Sequence, residues 1–147
     1  MREINPRCNA QDFYELLCII REAPERLRLN WLRCQGCFYC KRMIKTLTRD
    51  HIVAKSLGGK TQIENLVYAC DRCNSIKEAL TVKDFDAKCA SAIAYCNKYW
   101  MKRIYWCNHR VTLNELHIIK AAASELVKYV AENLSALLRL KSQSNES

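Results

Sequence analysis

Glycine and proline are scarce in this chain, with three glycines and two prolines among 147 residues. That scarcity excludes a collagen-like repeat and a Pro/Gly-rich low-complexity linker. With half of the residues apolar, it also excludes a largely disordered chain, because enough apolar surface is present to offset the entropy of folding. Acidic side chains are in the minority, 15 against 24 basic ones, for a net charge of +9. An excess of that size favours polyanionic partners. No run of 18 or more apolar residues occurs, and the N-terminal stretch has no long apolar signal core. The expectation is therefore a soluble, cytoplasmic chain with no membrane partner. No internal repeat is found. The length suits one domain with a core, or a small module with an appendage.

Cysteine, by contrast, is abundant: ten in all. A secreted disulfide scaffold would use them in pairs, but the missing signal core and the local spacing favour metal. Cys37-Phe-Tyr-Cys40 and Cys70-Asp-Arg-Cys73 are two Cys-x-x-Cys pairs. Four thiolates at paired spacing are the ligand set of a closed tetrahedral zinc site. Cys34 precedes Cys37 by three residues and leaves the zinc register open. Cys18, Cys89 and Cys96 lie among apolar neighbours at helical spacing and read as core.

Between and beside the pairs stand Arg49-Asp50-His51-Ile52, Gly58-Gly59, Glu64-Asn65-Leu66, Asn74 and Lys77. In this order the motifs resemble the HNH endonuclease family, also called the ββα-metal or His-Me finger nucleases, in its zinc-stapled branch. The resemblance covers roughly residues 34 to 81. Ala54 departs from it, since the family usually carries a proline there; the loss loosens a loop without removing chemistry. The resemblance implies a strand ending in Asp-His, a Gly-Gly loop, a second strand opened by Asn-Leu and a helix opened by Cys-x-x-Cys-Asn.

Phosphodiester hydrolysis needs a base for the attacking water and a cation for the charge that develops on phosphate. His51 suits the base, since imidazole titrates near neutral pH. In an extended segment Asp50 points to the opposite face from His51 and can ligate an ion. Asn74 offers a second, neutral oxygen, and such a pair suits magnesium or manganese. By resemblance, Asp50 and Asn74 hold the catalytic metal, His51 is the general base, and Asn65 braces the loop and orients His51. Lys77 is either a phosphate contact or a solvated helix lysine. His109 and His117 lie outside the motif.

Elsewhere the pattern is helical. Residues 10–22 read as a helix capped by Asn9, and residues 25–33 as a short basic helix with Trp31 packing into the core. Residues 43–53 and 65–69 read as strands, and 71–80 as a helix. Thr81 with Asp84 opens a helix over about 84–106, marked by Phe85, Cys89, Ile93, Cys96, Trp100 and Ile104. Thr112 with Glu115 opens another, with Leu116, Ile119, Ala123, Leu126, Val130, Asn133, Leu137 and Leu140 in 3-4 alternation. The short connector at 108–111 favours a helical hairpin. Net charge is +5 over residues 1–49, zero over 50–80, +4 over 81–110 and zero over 111–147. A neutral core is thus flanked by basic segments, and Arg49, Lys102 and Arg103 are candidate phosphate contacts.

The expected architecture is α+β: an N-terminal helical, basic segment (1–33), a zinc-stapled ββα-metal nuclease core (34–81), a C-terminal helical hairpin (82–141) and a tail (142–147). The expected function is magnesium-dependent hydrolysis of DNA, by nicking or double-strand cleavage, with RNA left open and a phage or mobile element as one setting. The protein would act as a monomer or as a homodimer through its C-terminal helices. The alternative is a non-catalytic, zinc-finger-like nucleic-acid-binding module, which would keep the four cysteines without needing Asp50, His51 and Asn74 together.

Overall fold

Two short antiparallel β-ribbons and four helices make up the computed structural model of the protein, which describes residues 24–139. The helix expected over 10–22 and the tail at 142–147 lie outside the described residues. Helix α1 spans Glu25–Cys34 and starts directly after Pro24, whose fixed φ suits a helix entrance. It buries Leu32 and lays Leu29 and Trp31 against the core. Strand β1 is Thr48–His51 and β2 is Leu66–Ala69. They pair antiparallel with Asp50 opposite Val67 and His51 opposite Leu66. The first strand is shorter than the 43–53 run expected from its apolar residues: Met43 is exposed, and Ile44 and Leu47 only lean on the core.

Single 3-10 turns at Lys55–Leu57 and Ile63–Asn65 shape the loop between the strands. Helix α2, Asp71–Lys77, follows β2 immediately. The order strand, strand, helix is the one the sequence implied.

The C-terminal third departs from a simple helical hairpin. Helix α3, Val82–Lys98, is capped by the Thr81 hydroxyl, which accepts from the Asp84 amide. It ends eight residues early. Trp100 and Ile104, read as the last members of its stripe, lie outside it. Strands β3 (Arg103–Trp106) and β4 (His109–Thr112) pair there instead. Their two linking residues, Cys107 and Asn108, both have positive φ, 50° and 64°, as a type I′ hairpin turn requires. Helix α4, Leu113–Leu137, begins at the reciprocal capping box between Thr112 and Glu115. Asn133, the one polar member of its ladder, is where it kinks, at φ −128° and ψ 17°. There the Asn133 side chain donates back to the Tyr129 carbonyl, a local bond that competes with the helix ladder.

Helices α3 and α4 do pack on each other, and Lys120 and Ser124 both donate to Asp86 between them. Edge-to-face contacts run from Phe38 to Tyr39 to Phe85, and Phe85 meets Trp106 in a tilted pair. One buried cluster therefore extends from Leu32 through the cysteines and Phe85 to Leu116, Ile119, Leu126 and Leu137. Among the described residues no helix is long and apolar enough to cross a membrane.

Candidate functional site

Four sulfurs come together from two distant turns. Cys37 and Cys40 sit on the knuckle after α1. It closes with the Cys37 amide donating to Arg42 and the Lys41 amide donating to Cys37. Gly36 makes the closure possible. Its φ is +78°, and a Cβ there would lie 2.6 Å from the Arg42 carbonyl oxygen, so a side chain is barred twice over. Cys70 is the N-cap of α2 and accepts from the Cys73 amide. All four side chains are buried, and their Sγ atoms lie within 4.8 Å of one another.

Zinc–thiolate bonds of about 2.3 Å in a tetrahedron set sulfurs about 3.8 Å apart, and Cys40 and Cys70 Sγ are 3.8 Å apart. The set therefore fits zinc, held by Cys37, Cys40, Cys70 and Cys73. Cys34 is exposed and outside the cluster, which closes the question of register. Two guanidiniums approach the Cys40 sulfur. Arg72 is held charged first by Glu115 and also by that sulfur; Arg42 is opposed by its partial burial but raised overall by it. Four thiolates and one Zn2+ leave a net charge of −2, which these arginines offset.

The second constellation begins at Asp50 and His51, neighbours on β1 whose side chains find different partners. Asp50 Oδ2 lies 3.2 Å from Lys77 Nζ on α2 and accepts from the Tyr39 hydroxyl at 3.2 Å. Tyr39 is fully buried, and burial followed by the Asp50 charge pushes its phenol well up, so it remains a donor. Lys77 is 4% exposed. It is therefore not a solvated lysine; its ammonium pairs with Asp50.

His51 Nε2 is 3.0 Å from the Thr61 hydroxyl. Partial burial, then the charge of Lys55, lowers its pKa below the ordinary 6.5; Asp50 opposes this and Arg49 adds to it. A neutral imidazole at pH 7 can accept a proton.

Asn65 fixes the backbone that leaves His51. It is fully buried. Its Oδ1 accepts from the Val53 amide at 2.9 Å, and its Nδ2 donates to the Val53 and Lys60 carbonyls at 3.0 and 2.8 Å. The Asn65 carbonyl accepts from Ile52. Asn65 thus braces the loop, with no side-chain bond to His51 itself. Gly59 packs into this lattice: a Cβ there would lie 1.8 Å from the Val53 carbonyl oxygen. From the far end of the chain, Leu138 bridges Gly59, and Arg139 donates to the Gly58 and Lys55 carbonyls.

Asn74 is exposed on α2, one turn before Lys77. Arg49, Lys102 and Arg103 are all exposed. Arg49 lies on β1 beside Asp50; Lys102 and Arg103 belong to the segment around β3. Sequence reasoning missed Tyr39, Thr61 and the Arg72–Glu115 pair. Tyr39 stands inside the first Cys-x-x-Cys, and Thr61 two residues after the Gly-Gly, but only the fold brings them to Asp50 and His51.

Residues 37–89 match the family model described as HNH endonuclease, a little over a third of the chain. The match begins at the first zinc cysteine and takes in all four, together with Asp50, His51, Asn65, Asn74 and Lys77. It bears out the resemblance read from the motifs. No curated protein and no solved structure matches the chain.

Proposed function

We propose that this protein is a metal-dependent endonuclease that hydrolyses DNA phosphodiester bonds, with RNA as a further possible polymer. One observation carries the reading. Asp50 and His51 stand side by side at the end of β1 with separate partners, the loop that follows is locked by Asn65, and α2 reaches Asp50 through Lys77, all inside the HNH-matched segment.

His51, neutral at physiological pH, takes the proton from the attacking water. Thr61 fixes the ring through Nε2. Asn65 holds the backbone on which His51 is carried, and so positions rather than reacts. Asp50 and Asn74 supply a carboxylate and an amide oxygen, hard donors that fit magnesium or manganese. The engaged oxygen of Asp50 is Oδ2, which leaves Oδ1 for an ion. Asp50 and Asn74 would hold such a cation, which when bound would supply charge stabilisation to the phosphate and the leaving oxygen. Arg49, Lys102 and Arg103 meet the polyanion. The four-cysteine cluster serves the fold, since it ties the knuckle after α1 to the start of α2.

One observation favours a non-catalytic nucleic-acid-binding module: the ammonium of Lys77 already neutralises Asp50. Incubation of the zinc-loaded protein with supercoiled plasmid, with and without magnesium, separates the two. Nicked or linear product that requires both the cation and His51 supports the nuclease; binding without conversion at any divalent cation supports the module.

A further inference from the structure

Among the described residues, the most exposed aromatic surface lies outside the HNH-matched segment, at the junction of α3 and β3. Trp100 is 92% exposed, Tyr105 70%, Tyr99 54% and Tyr95 51%. A groove of ≈710 Å³ is lined there by Tyr95, Trp100, Met101, Lys102, Arg103 and Tyr105, with Ala92 and Ile104 at its floor. Tyr95 and Tyr99 form a tilted pair with ring centroids 4.8 Å apart, and Lys98 Nζ sits 5.3 Å from the Tyr99 ring centre.

Trp100 is placed against its own preference. The Met101 amide donates to the Cys96 carbonyl, the six-to-one bond of a Schellman motif, so Trp100 occupies the left-handed C′ position, at φ 58°. Glycine or asparagine is the residue that position favours. An indole there bears backbone strain and, being almost fully exposed, recovers nothing by burial in the chain. The sequence on either side of it carries charge of one sign. From Ala87 to Asn114 there is no aspartate or glutamate, while Lys88, Lys98, Lys102, Arg103 and Arg110 all fall in that span.

Exposed aromatic faces interleaved with cations match what an unpaired nucleic-acid strand offers: π faces and phosphates. A duplex keeps its base faces stacked inside and would leave the rings without partners. We propose that this groove is a stacking platform for an unpaired strand, with bases on Trp100 and Tyr105 and phosphates on Lys98, Lys102 and Arg103. This rests on the nuclease reading and narrows its substrate class to nucleic acid with a single-stranded stretch.

The test is binding, measured on full-length, zinc-loaded protein carrying His51→Ala so that nothing is cut. The probes are an oligothymidylate of about twenty nucleotides and a blunt duplex of the same length. Trp106 is 7% exposed and Trp31 is partly buried, so quenching of indole fluorescence by the oligothymidylate should come from Trp100. Trp100→Gly, which suits the backbone at that position, should weaken oligothymidylate binding about 5- to 100-fold and remove the quench. Duplex affinity should change by less than about twofold, because base faces are not available in it. Trp100→Phe should restore most of the affinity without the quench. Equal losses for strand and duplex, or no loss for either, would overturn the platform. So would self-association of the parent, seen by sedimentation and abolished by Trp100→Gly, with strand binding unchanged; the occupant would then be a second copy of the chain. If plasmid cleavage fails while these results hold, the nuclease reading falls and the platform stands. If the platform fails, cleavage is untouched.

Discussion

Lys77 Nζ lies 3.2 Å from Asp50 Oδ2 in a pocket where Lys77 is 5% and Asp50 15% exposed at the side chain. The ion pair joins α2 to β1 across the elements that would carry the catalytic metal, and the Tyr39 hydroxyl donates to the same carboxylate oxygen. Removal of one partner leaves a largely buried charge uncompensated, which is costly. Lys77→Met is expected to destabilise the fold by about 2–4 kcal/mol, read by urea unfolding at fixed zinc. A Lys77 that only met phosphate would instead leave the unfolding midpoint alone and weaken DNA binding.

Cys37→Ser, Cys40→Ser, Cys70→Ser and Cys73→Ser should each lose tightly held zinc, whereas Cys34→Ser should retain about one ion per chain. Structural zinc contributes on the order of 10–16 kcal/mol to such small units. Loss of one ligand should therefore unfold the segment around β1, β2 and α2, read by metal analysis together with circular dichroism. Zinc retained in full by the Cys37→Ser protein would remove Cys37 from the ligand set.

The catalytic assignment predicts a pH profile. The pKa of His51 is lowered from 6.5 by burial and by Lys55, so the unprotonated, active form already dominates at pH 7. The rate of plasmid nicking should be flat near neutrality and fall on acidification, with its midpoint below 6.5. His51→Ala should lower the rate about 10²–10⁴-fold and abolish that acid limb, with zinc content unchanged. Replacement of Lys55 by Gln removes a positive neighbour and should move the midpoint upward.

Glu115 gives a separate pH signature, in stability. Its carboxyl is held below the ordinary 4.5, chiefly by the hydrogen bond from Arg72, 2.5 Å away, which outweighs partial burial. A depressed pKa contributes stability that is fully present above the unfolded-state value and is lost as pH falls through the folded one. The stability difference between parent and Glu115→Gln should therefore be about 1–2 kcal/mol at pH 7 and shrink below pH 4.5. Both proteins lose zinc on acidification, so their difference isolates Glu115.

The parts legible in the sequence were those written in local chemistry. The two Cys-x-x-Cys pairs named the four cysteines that cluster, and Thr81 and Thr112 were named as the residues that open α3 and α4, which they cap. The β3–β4 hairpin was hidden because Trp100 and Ile104 continue the apolar spacing of α3, and because its turn, Cys107-Asn108, carries no glycine. What made the difference was tertiary: Trp106 and Val111 are buried from opposite strands of the hairpin. The Lys77–Asp50 pair was hidden for another reason. Charge pairing across 27 residues has no sequence period, and each residue by itself suited an exposed role.

The C-terminal end of α4 closes the Gly-Gly loop from outside. The Lys60 amide donates to the Leu137 carbonyl and the Arg139 amide to the Gly58 carbonyl, Leu138 bridges Gly59, and the Arg139 guanidinium reaches the Lys55 carbonyl at 3.2 Å. Asn65 holds the same loop from within, through Val53 and Lys60. The loop is thus clasped on both sides, and with it the backbone that carries His51. Truncation after Leu137 removes the Arg139 bonds of the outer clasp but keeps the buried Leu137 with its carbonyl, the four clustered cysteines and every residue of the HNH-matched segment. Its global stability should fall by only about 1–2 kcal/mol, in proportion to the two lost Arg139 hydrogen bonds near the surface. Amide exchange at Gly59 and Lys60 should speed up by more than that global loss accounts for, since the opening becomes local. Nicking should slow about tenfold, because a misplaced base is costly even when the fold survives. Unchanged exchange at Gly59 and Lys60 would show that Asn65 alone holds the loop, and the segment after Leu137 would then have no part in the site.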